Sequence, residues 1–384
     1  MKAASLATKE FSRILLIKPS AVGDVVHTIP VLVKLRARYP RAQIDWFIKP
    51  EIADLVRHHP ALSQVVIFNR HRFAAFGRDW RATAGPLKLL RQLRRAHYDL
   101  VVDMHGQLRT AIFVLASGAP VRIGFGRPVK RTRTETAHYR LRNIPVHGWA
   151  GAREGSWLAY THRIPLPSLD VHAIDRYLWL GPILGLDNAP PDLTIYISPE
   201  TEARMEQALA AHGLKEFAVL APGTAWETKH WPAERFAEVG RELTARGLGI
   251  VVVGSPGDRP RCKITTEQCP GAVDLSGKTG VGELAAIIKR ARLAVTNDSG
   301  SMHMAVALKT PVIAIFGPTN PAQIGPYGQP EAVVRRDLPC SPCNYRRLEQ
   351  CPHGHACMQE VTVAMVVQRI DEVVGSAASV PARN

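Results

Sequence analysis

The feature that most constrains the fold is a repeated alternation of short apolar runs with segments of helical periodicity. An apolar run at residues 14–18 leads through a turn containing Gly23 into apolar positions that recur at helical spacing. Further strand-like runs occupy residues 44–48, 65–68 and 100–103, and a helix is predicted at 52–59. Because strands that alternate with helices form parallel sheets with crossover helices, this half predicts an α/β domain.

The same alternation begins again after a polar, turn-rich segment at residues 185–192, which we interpret as a linker. The predicted strands of the second half are 217–220, 249–254, 293–296 and 312–316, with helices at 236–246, 281–291, from 303 and at 361–374. A chain of 384 residues suits two such domains. We therefore predict domains at 1–184 and 185–360, followed by a helix and tail at 361–384. Each domain is expected to be doubly wound, with ligands beyond the carboxyl ends of its strands.

The net charge of +16 is distributed unevenly along the chain. Residues 1–180 contain 29 Lys and Arg against 12 Asp and Glu, whereas residues 181–384 contain 20 against 21. The first half therefore favours contact with a polyanion, which is nucleic acid, an anionic membrane or an acidic substrate, unless its surface is simply basic. An Arg-rich stretch at residues 124–142 is predicted to be a basic loop.

The compartment is predicted from what the sequence lacks. The first twelve residues are polar, and the apolar run that follows is too short for the core of a signal peptide. No stretch offers the roughly 20 uncharged apolar residues of a membrane span. We expect a cytoplasmic protein, peripheral to the membrane, with its six cysteines reduced.

Three segments carry candidate chemistry. Asp24 begins the first predicted helix, where a carboxylate is either a helix cap or a general base. The loop at residues 221–232 contains glycine, a hydroxyl and Lys229, which suits a phosphate site or an ordinary surface loop. In the third segment, Asp298 and Ser299 lie between a strand end and a helix start. They are interpreted either as contacts to a diphosphate or simply as a helix cap.

Several common nucleotide motifs are absent from the sequence. No Gly-x-Gly-x-x-Gly follows the first strand, and no Gly-x-x-x-x-Gly-Lys-Ser/Thr occurs. No Asp-x-Asp pair occurs, so the usual carboxylate pair for a Mg²⁺ or Mn²⁺ complex of a nucleotide sugar is missing. Protein cations and helix dipoles must then offset the charge of a leaving diphosphate, and we expect catalysis to require no cofactor.

Four cysteines cluster near the C-terminus, with two histidines between them. Cys340, Cys343, Cys351 and Cys357 fall within 18 residues. Such a set suits a structural zinc site, although the second pair is not spaced as Cys-x-x-Cys. Reduced structural thiols are the alternative interpretation.

Taken together, these segments resemble glycosyltransferase family 9, the ADP-heptose:lipopolysaccharide heptosyltransferases. The matching segments are ILLIKPSAVGDVVHTIP (14–30), TKHWP (228–232), LSGKT (275–279), TNDSGSMHMA (296–305) and IFGPTN (315–320). The similarity runs from about residue 13 to 375. It implies a GT-B fold, in which two Rossmann-like doubly wound domains face a central cleft. It also implies an inverting transfer of heptose from ADP-heptose to the inner core of lipopolysaccharide.

The resemblance implies a role for each matching residue. Asp24 is similar to the catalytic base, and Lys229 to the lysine that stabilises the departing diphosphate. The donor contacts expected are Thr224, Asp258, Asp298, Ser299, Gly300 and His303. To the acceptor side we assign Lys18 and the segment DMHGQLR (103–109), with Gln107 and Arg109 as its contacts, and also Arg127, Lys130 and Arg131.

The partners implied are an ADP-sugar, an acidic acceptor bearing Kdo on lipid A, and the anionic inner leaflet of the membrane. Alternatives within the family are another nucleotide sugar or a later core residue, because the first helix resembles first-heptose enzymes and residues 296–303 resemble second-heptose enzymes. Two other classes are a donor-binding module without catalysis and a basic nucleic-acid-binding protein. The basic half has no recognised nucleic-acid motif and aromatic content is 7%, so we expect no nucleic acid.

Overall fold

The computed structural model describes residues 6–69, 73, 80–129 and 151–378, which form two compact units. The described residues up to Tyr196 belong to the first unit, and those from Ile197 belong to the second. This division lies twelve residues beyond the predicted boundary at 184 and four residues beyond the end of the predicted linker at 185–192. The C-terminal helix, predicted as a separate segment, packs within the second unit.

The first unit is built on a six-stranded parallel sheet with the order β3-β2-β1-β4-β5-β6. Its strands are β1 Arg13–Ile17, β2 Gln43–Ile48, β3 Gln64–Ile67, β4 Leu100–Asp103, β5 Val121–Phe125 and β6 His162–Ile164. Its helices are α1 Val22–Arg38, α2 Trp80–Arg95, α3 Leu108–Ser117, α4 Ala173–Leu178 and α5 Gly181–Leu184, with 3₁₀ helices at Pro50–Leu55 and Ser156–Ala159.

The second unit repeats this architecture with the order β12-β11-β10-β7-β8-β9. Its strands are β7 Phe217–Ala221, β8 Gly249–Val252, β9 Val273–Asp274, β10 Leu293–Asn297, β11 Val312–Phe316 and β12 Val333–Arg335. Its α-helices are α6 Pro199–Ala211, α7 Ala233–Ala245, α8 Arg259–Glu267, α9 Val281–Arg290, α10 Gly300–Ala307, α11 Pro321–Ile324, α12 Ala356–Gln359 and α13 Val363–Ala378. Short 3₁₀ helices lie at Glu227–Lys229, Pro256–Asp258, Pro330–Ala332 and Leu348–Gln350.

Each sheet has the strand order of a doubly wound Rossmann fold, in which the chain returns after three strands from the edge to the middle of the sheet, so that β4 lies beside β1 and β10 beside β7. The predicted fold class, α/β with two parallel sheets of the GT-B type, is confirmed. The central strands are apolar throughout because helices cover both faces of a parallel sheet. In β1 every residue after Arg13 is buried, and β7, β10 and β11 are buried along their whole length.

The structure corrects one predicted helix and adds four strands. Residues 52–59 were expected to form an α-helix, but a 3₁₀ helix, Pro50–Leu55, occupies this region and ends at Val56. The strands β5, β6, β9 and β12 were not predicted from the sequence. Within β5, a side chain at Gly124 would overlap the ring of Tyr160, so glycine is required inside the strand.

None of the helices within the described ranges is both long enough and apolar enough to cross a membrane. The predicted basic loop at 124–142 begins within β5. Its residues from 130 onward lie outside the described part of the chain.

Candidate functional site

In the first unit, the candidate site lies where β1 ends and α1 begins. Asp24 is in the first turn of α1, and its Oδ2 accepts a hydrogen bond from the backbone N–H of Ala21 at 3.3 Å. The carboxylate therefore caps the helix, as one interpretation expected. Its side chain nevertheless remains 44% exposed, and its other oxygen, Oδ1, is free of the cap. Capping and a chemical role are compatible because they use different oxygens.

Lys18 lies beneath this carboxylate and is almost fully buried, with 5% of its side chain exposed. Its Nζ donates to the carbonyl of Met104 at 3.0 Å and to the hydroxyl of Tyr177 at 2.7 Å. The Tyr177 hydroxyl donates in turn to Asp24 Oδ1 at 3.2 Å. Lys18 Nζ is itself 3.7 Å from the same oxygen. On the protein side of the exposed Asp24 carboxylate, Lys18 therefore provides a positive charge and Tyr177 provides a hydrogen-bond donor.

The pKa values of this group follow from opposing effects. Burial alone would raise the pKa of Asp24, but the Lys18 ammonium, the Ala21 N–H and Tyr177 outweigh it, so the pKa is lowered. Burial would lower the pKa of Lys18, but the charge of Asp24 and the contact with Tyr177 reverse that effect and raise it. Burial and Asp24 raise the pKa of Tyr177 to about 12. Asp24 and Lys18 are therefore both ionised at neutral pH.

The segment after β4 adds a second buried carboxylate. Asp103 Oδ1 accepts from the backbone N–H of His105 at 2.8 Å and of Gly106 at 3.2 Å, while Oδ2 accepts from the Tyr160 hydroxyl at 2.8 Å. Burial raises the pKa of Asp103 despite these donors. Because these bonds shape the turn that leads from β4 to α3, Asp103 is a positioning residue.

His105 lies in that turn, close to the charges of Lys18 and Asp24. Burial, followed by the charge of Lys18, lowers the pKa of His105 to about 3, so its ring is neutral. Its Nε2 is buried and makes no hydrogen bond. A neutral imidazole with an unsatisfied nitrogen is suited to hydrogen bond with a ligand hydroxyl.

The remaining acceptor-side predictions have different outcomes. Gln107 is the N-cap residue of α3, and its Oε1 accepts from Arg109 Nε at 2.7 Å. Arg127 stacks over the ring of Trp157, with its guanidinium carbon 5.6 Å from the ring centroid. Lys130 and Arg131 lie outside the described residues.

In the second unit, the candidate site lies at the carboxyl ends of β7, β10 and β11. Lys229 Nζ is 2.7 Å from Asp298 Oδ2, and both side chains are buried. Thr319 donates to the same oxygen at 2.6 Å, and Thr224 donates to the backbone carbonyl of Asp298 at 2.8 Å. Lys229 also lies over the ring of Trp226, 4.2 Å from its centroid. Residues from three loops therefore meet at Asp298.

A single amide side chain fixes two of these loops to each other. Asn297, the last residue of β10, donates through Nδ2 to the carbonyl of Pro222 at 2.8 Å. Its Oδ1 accepts from the backbone N–H of Trp231 at 3.1 Å. Asn297 thus holds both ends of the loop that carries Lys229.

The helix after β10 presents an unsatisfied hydroxyl at its start. Ser299 is the N-cap residue of α10, but its side chain does not cap the helix. Its Oγ is buried and makes no hydrogen bond. Gly300 is the first residue of α10, and His303 is buried one turn further on. A helix N-terminus with a free hydroxyl is suited to bind an anionic group.

Asp258 lies beside the loop after β7. A side chain at Gly223 would overlap the Asp258 carboxylate, so the two residues are in direct contact. Asp258 Oδ2 accepts from the Ser255 hydroxyl at 2.6 Å and from its backbone N–H at 2.8 Å. The structure therefore places Asp258 next to the predicted donor loop, although it also stabilises its own turn.

The four clustered cysteines line one cavity together with Tyr345, Pro352, His353 and Ala356. All four are free thiols, and burial raises the pKa of Cys357 to about 12. Within the described residues, no group of three or more His, Cys, Asp or Glu side chains is arranged to hold a metal ion. Metal binding at this cluster remains a prediction.

The cysteine-bearing segment also holds the Lys229 loop. His355 Nε2 donates to the carbonyl of Thr228 at 2.6 Å, and the Thr228 hydroxyl donates to the carbonyl of Tyr345 at 2.5 Å. Arg346 stacks on Trp226, whose ring also contacts Lys229. The guanidinium of Arg346 is 4.7 Å from the centroid of that ring. The segment is therefore a support of the candidate donor site.

Sequence reasoning missed several residues that the structure brings into these sites. They are Tyr177 and Tyr160 in the first unit, and Asn297, Thr319 and Trp226 in the second. Asn297 and Thr319 follow the ends of central strands, so their positions alone marked them as candidates. Nothing in the sequence connects Tyr177 with Asp24, which lies 153 residues away.

Comparisons with known proteins identify the family to which the chain is similar. The sequence matches glycosyltransferase family 9 (heptosyltransferase) over residues 86–138 and 136–353. It is 29% identical over 341 residues to lipopolysaccharide heptosyltransferase 1 of Pseudomonas aeruginosa, covering 86% of each chain. The structure is similar to a family 9 glycosyltransferase from Veillonella parvula, with a TM-score of 0.75, 22% identity and coverage of 97% and 99%.

The E. coli heptosyltransferase WaaC with ADP-2-deoxy-2-fluoro heptose is a second similar structure, with a TM-score of 0.69, 24% identity and coverage of 94% and 99%. The family match spans most of the chain, and the two Rossmann-like sheets are those of these enzymes. The protein is therefore a glycosyltransferase and belongs to glycosyltransferase family 9, the heptosyltransferase family.

Proposed function

We propose that the protein transfers heptose from ADP-L-glycero-D-manno-heptose to the Kdo/heptose inner core of lipopolysaccharide on lipid A. The observation that carries this proposal is Asp24, an ionised and half-exposed carboxylate whose inner oxygen is held by Tyr177 above the buried ammonium of Lys18. Glycosyl transfer with inversion requires one such base. The names of the similar proteins support heptose as the sugar and lipopolysaccharide as the acceptor.

The proposed reaction is a single displacement. An acceptor hydroxyl attacks the anomeric carbon, Asp24 takes the hydroxyl proton, and the bond from that carbon to the diphosphate oxygen breaks with its electron pair. The sugar passes through an oxocarbenium-like state, and the anomeric configuration inverts. ADP leaves as the anionic product.

The lowered pKa of Asp24 has a consequence for the timing of proton transfer. A carboxylate with a low pKa is fully ionised but is a weak base. A free hydroxyl does not give up its proton to such a base. The proton therefore moves late, after bonding to the anomeric carbon has made the hydroxyl acidic. Asp24 acts first as a hydrogen-bond acceptor that orients the hydroxyl.

On the donor side, Lys229 and the N-terminus of α10 are proposed to bind the diphosphate. Asp298 holds the Lys229 ammonium at 2.7 Å, which fixes its position before a ligand arrives. The unsatisfied hydroxyl of Ser299 and the first N–H groups of α10 add donors for phosphate oxygens. Asp258 is proposed to contact the ribose. Because the sequence has no Asp-x-Asp pair, we propose that no divalent cation takes part.

On the acceptor side, the positive excess of the first half suits the carboxylates and phosphates of a Kdo-bearing lipid. Within the acceptor-side segment 103–109, His105 is proposed to hydrogen bond with an acceptor sugar through its unsatisfied Nε2. The reaction is proposed to take place at the cytoplasmic face of the inner membrane, where such a lipid is anchored.

The test is to incubate the purified protein with ADP-heptose and either Kdo₂-lipid A or that acceptor already bearing one heptose, and to follow acceptor mass. A gain on the first acceptor identifies addition of the first heptose, and a gain only on the second identifies a later step. With Asp24→Asn, the reactive acceptor should gain mass at least about a hundredfold more slowly than with wild type. If only a different nucleotide sugar or a longer core acceptor reacts, the alternative within the family is correct and heptose transfer to the inner core is wrong.

A further inference from the structure

The outward face of α3 is apolar where a surface helix is normally polar. Leu108, Ile112 and Leu115 follow one another at helical spacing and are 52%, 51% and 57% exposed. The opposite face is also apolar but buried, with Phe113 packed 4.8 Å from the ring of Phe47. A helix that is apolar on all sides is expected to be covered by something on its outer face.

A neighbouring element extends this apolar face. The 3₁₀ helix Ser156–Ala159 packs against α3 and exposes 74% of Leu158. Within the described ranges, nine large hydrophobic side chains are exposed, and four of them are on these two adjoining elements. Such clustering marks an interaction surface, whereas scattered exposed leucines do not. We call the surface formed by Leu108, Ile112, Leu115 and Leu158 the α3 face.

Basic side chains surround the α3 face. Arg109 is in the first turn of α3, and the guanidinium of Arg94 lies against Gly118 at its C-terminal end. Arg153 is exposed, and its backbone N–H donates to Gly106 just before α3. One acid, Glu154, also lies here, where its Oε2 accepts from the backbone N–H of Leu108 at 3.1 Å, and its single negative charge offsets only one of the three arginines. The rim of the apolar face is therefore positive.

We propose that the α3 face docks on the surface of an anionic lipid bilayer, with its leucine and isoleucine side chains inserted between head groups. Apolar side chains with a basic rim are complementary to such a surface, since arginine side chains reach lipid phosphates while the apolar groups leave water. A second copy of this chain is a poor occupant. A twofold contact would bring the same arginine rim against itself.

Docking has a consequence for the base in the same unit. The turn that begins α3 contains His105, and Lys18 donates to the carbonyl of Met104 in that turn. The α3 face and the Asp24 site are therefore linked through this one turn at the carboxyl edge of the sheet. The inference deepens the proposed function, because a lipid-anchored acceptor must be reached at a membrane. Vesicle binding without donor or acceptor tests it independently of catalysis.

The experiment measures sedimentation of the full chain with phosphatidylcholine vesicles that contain or lack phosphatidylglycerol. The expected result is that wild-type protein binds the anionic vesicles, and that Ile112→Gln/Leu115→Gln weakens binding about tenfold or more without changing charge. The matched control is Val374→Gln, which replaces an apolar side chain of α13 that is 37% exposed. It should bind like wild type.

Several outcomes would overturn the proposal. One is equal binding of wild type and the double variant, and another is absence of wild-type binding to either kind of vesicle. A third is a wild-type dimer in analytical ultracentrifugation that becomes monomeric in the double variant, which would make the α3 face an interface between copies. Failure of heptose transfer with intact vesicle binding would reject the proposed function alone.

Discussion

The ammonium of Lys18 lies 3.7 Å from the carboxylate of Asp24, with the lysine 5% and the aspartate 44% exposed. The cation of this pair is therefore inside the protein, and the anion faces solvent. Burial protects the positive charge from screening, while the carboxylate stays accessible to a ligand. The buried ammonium of Lys18 thus keeps the Asp24 carboxylate ionised from the protein side, and its solvent side stays open to a ligand.

The first prediction concerns Asp24 itself. Asp24→Asn retains an oxygen that can accept from the Ala21 N–H, so the cap and the fold should persist. Because the amide cannot take a proton, kcat should fall about 10²–10⁴-fold. Steady-state rates and circular dichroism check this result. The matched control is Asp54→Asn on the same unit, a carboxylate paired with Arg57 at the surface, which should leave kcat unchanged.

A second prediction concerns pH. The active form of Asp24 is ionised, and its pKa is lowered, so kcat/KM should be lost only as pH falls through that low value. Lys18→Met and Tyr177→Phe each remove a group that lowers this pKa, so the acid limb should move to higher pH in both. The control is Lys34→Met, which removes a buried lysine in α1 that pairs with Asp187 at 2.6 Å. This variant should leave the acid limb of the pH profile unchanged. An unchanged limb in both test variants would exclude Asp24 as the titrating base.

A third prediction separates the structural and chemical roles of Lys229. Lys229→Met leaves Asp298 buried without its cation, so unfolding free energy should fall by about 3 kcal/mol and kcat by about 10²–10³-fold. In Lys229→Met/Asp298→Asn the unpaired charge is gone, and stability should recover while the rate stays low. Urea denaturation and single-turnover rates distinguish the two effects. Recovery of the rate in the double variant would remove Lys229 from the chemistry.

The strands and the residues at their ends show what the sequence can and cannot predict. The apolar runs of β1, β4, β7 and β11 were recognised within a residue because strands buried on both faces are uniformly apolar. The strand ends in turn located Asp24, Lys229 and Asp298. The partners of these residues were not found, since a contact such as Tyr177 to Asp24 depends on how separate elements pack.

The elements that were missed are short or contain residues atypical of strands. β6 has three residues, His162–Ile164, and β5 contains both Arg122 and Gly124. Gly124 weakens the strand pattern, yet it is there because the Tyr160 ring occupies the space of its side chain. Packing against Tyr160 therefore requires glycine at position 124, although glycine is unfavourable in a β-strand.

A fourth prediction concerns stability at low pH. Burial lowers the pKa of His59 from 6.5 to about 4, and its Nδ1 accepts from the Ala61 N–H. The unfolded chain therefore binds a proton at higher pH than the folded chain, so this site destabilises the fold as pH falls from 6.5 towards 4. Its contribution at pH 5 is about 2 kcal/mol.

The variant that tests this effect is His59→Asn, whose side-chain oxygen can replace Nδ1 as the acceptor. Unfolding free energies from urea denaturation at pH 7.5 and pH 5 should differ less in this variant than in wild type. His212→Asn, on an exposed histidine of the second unit, should retain the wild-type difference. A wild-type pH dependence in His59→Asn would contradict the assignment.

A fifth prediction addresses the cysteine cluster. If the four thiols that share one cavity bind a structural zinc ion, purified protein should contain a single zinc per chain. Cys343→Ser/Cys351→Ser should lose that ion, and the lower stability of the segment should also loosen the Lys229 loop that His355 and Tyr345 hold. Cys269→Ser, on a core cysteine, should retain it. Metal-free protein with full activity would refute the metal site.

The hydroxyl that Tyr177 donates to Asp24 comes from α4, late in the first unit. During synthesis on the ribosome, Asp24 emerges long before this partner, and α1 has no α4 to pack against until residue 178 is free of the exit tunnel. An N-terminal fragment that stops short of α4 contains the intact sheet order β3-β2-β1-β4-β5-β6 and yet lacks a finished base. The environment of the proposed base is therefore completed only when the C-terminal part of the first unit has been made, and before most of the second unit is synthesised.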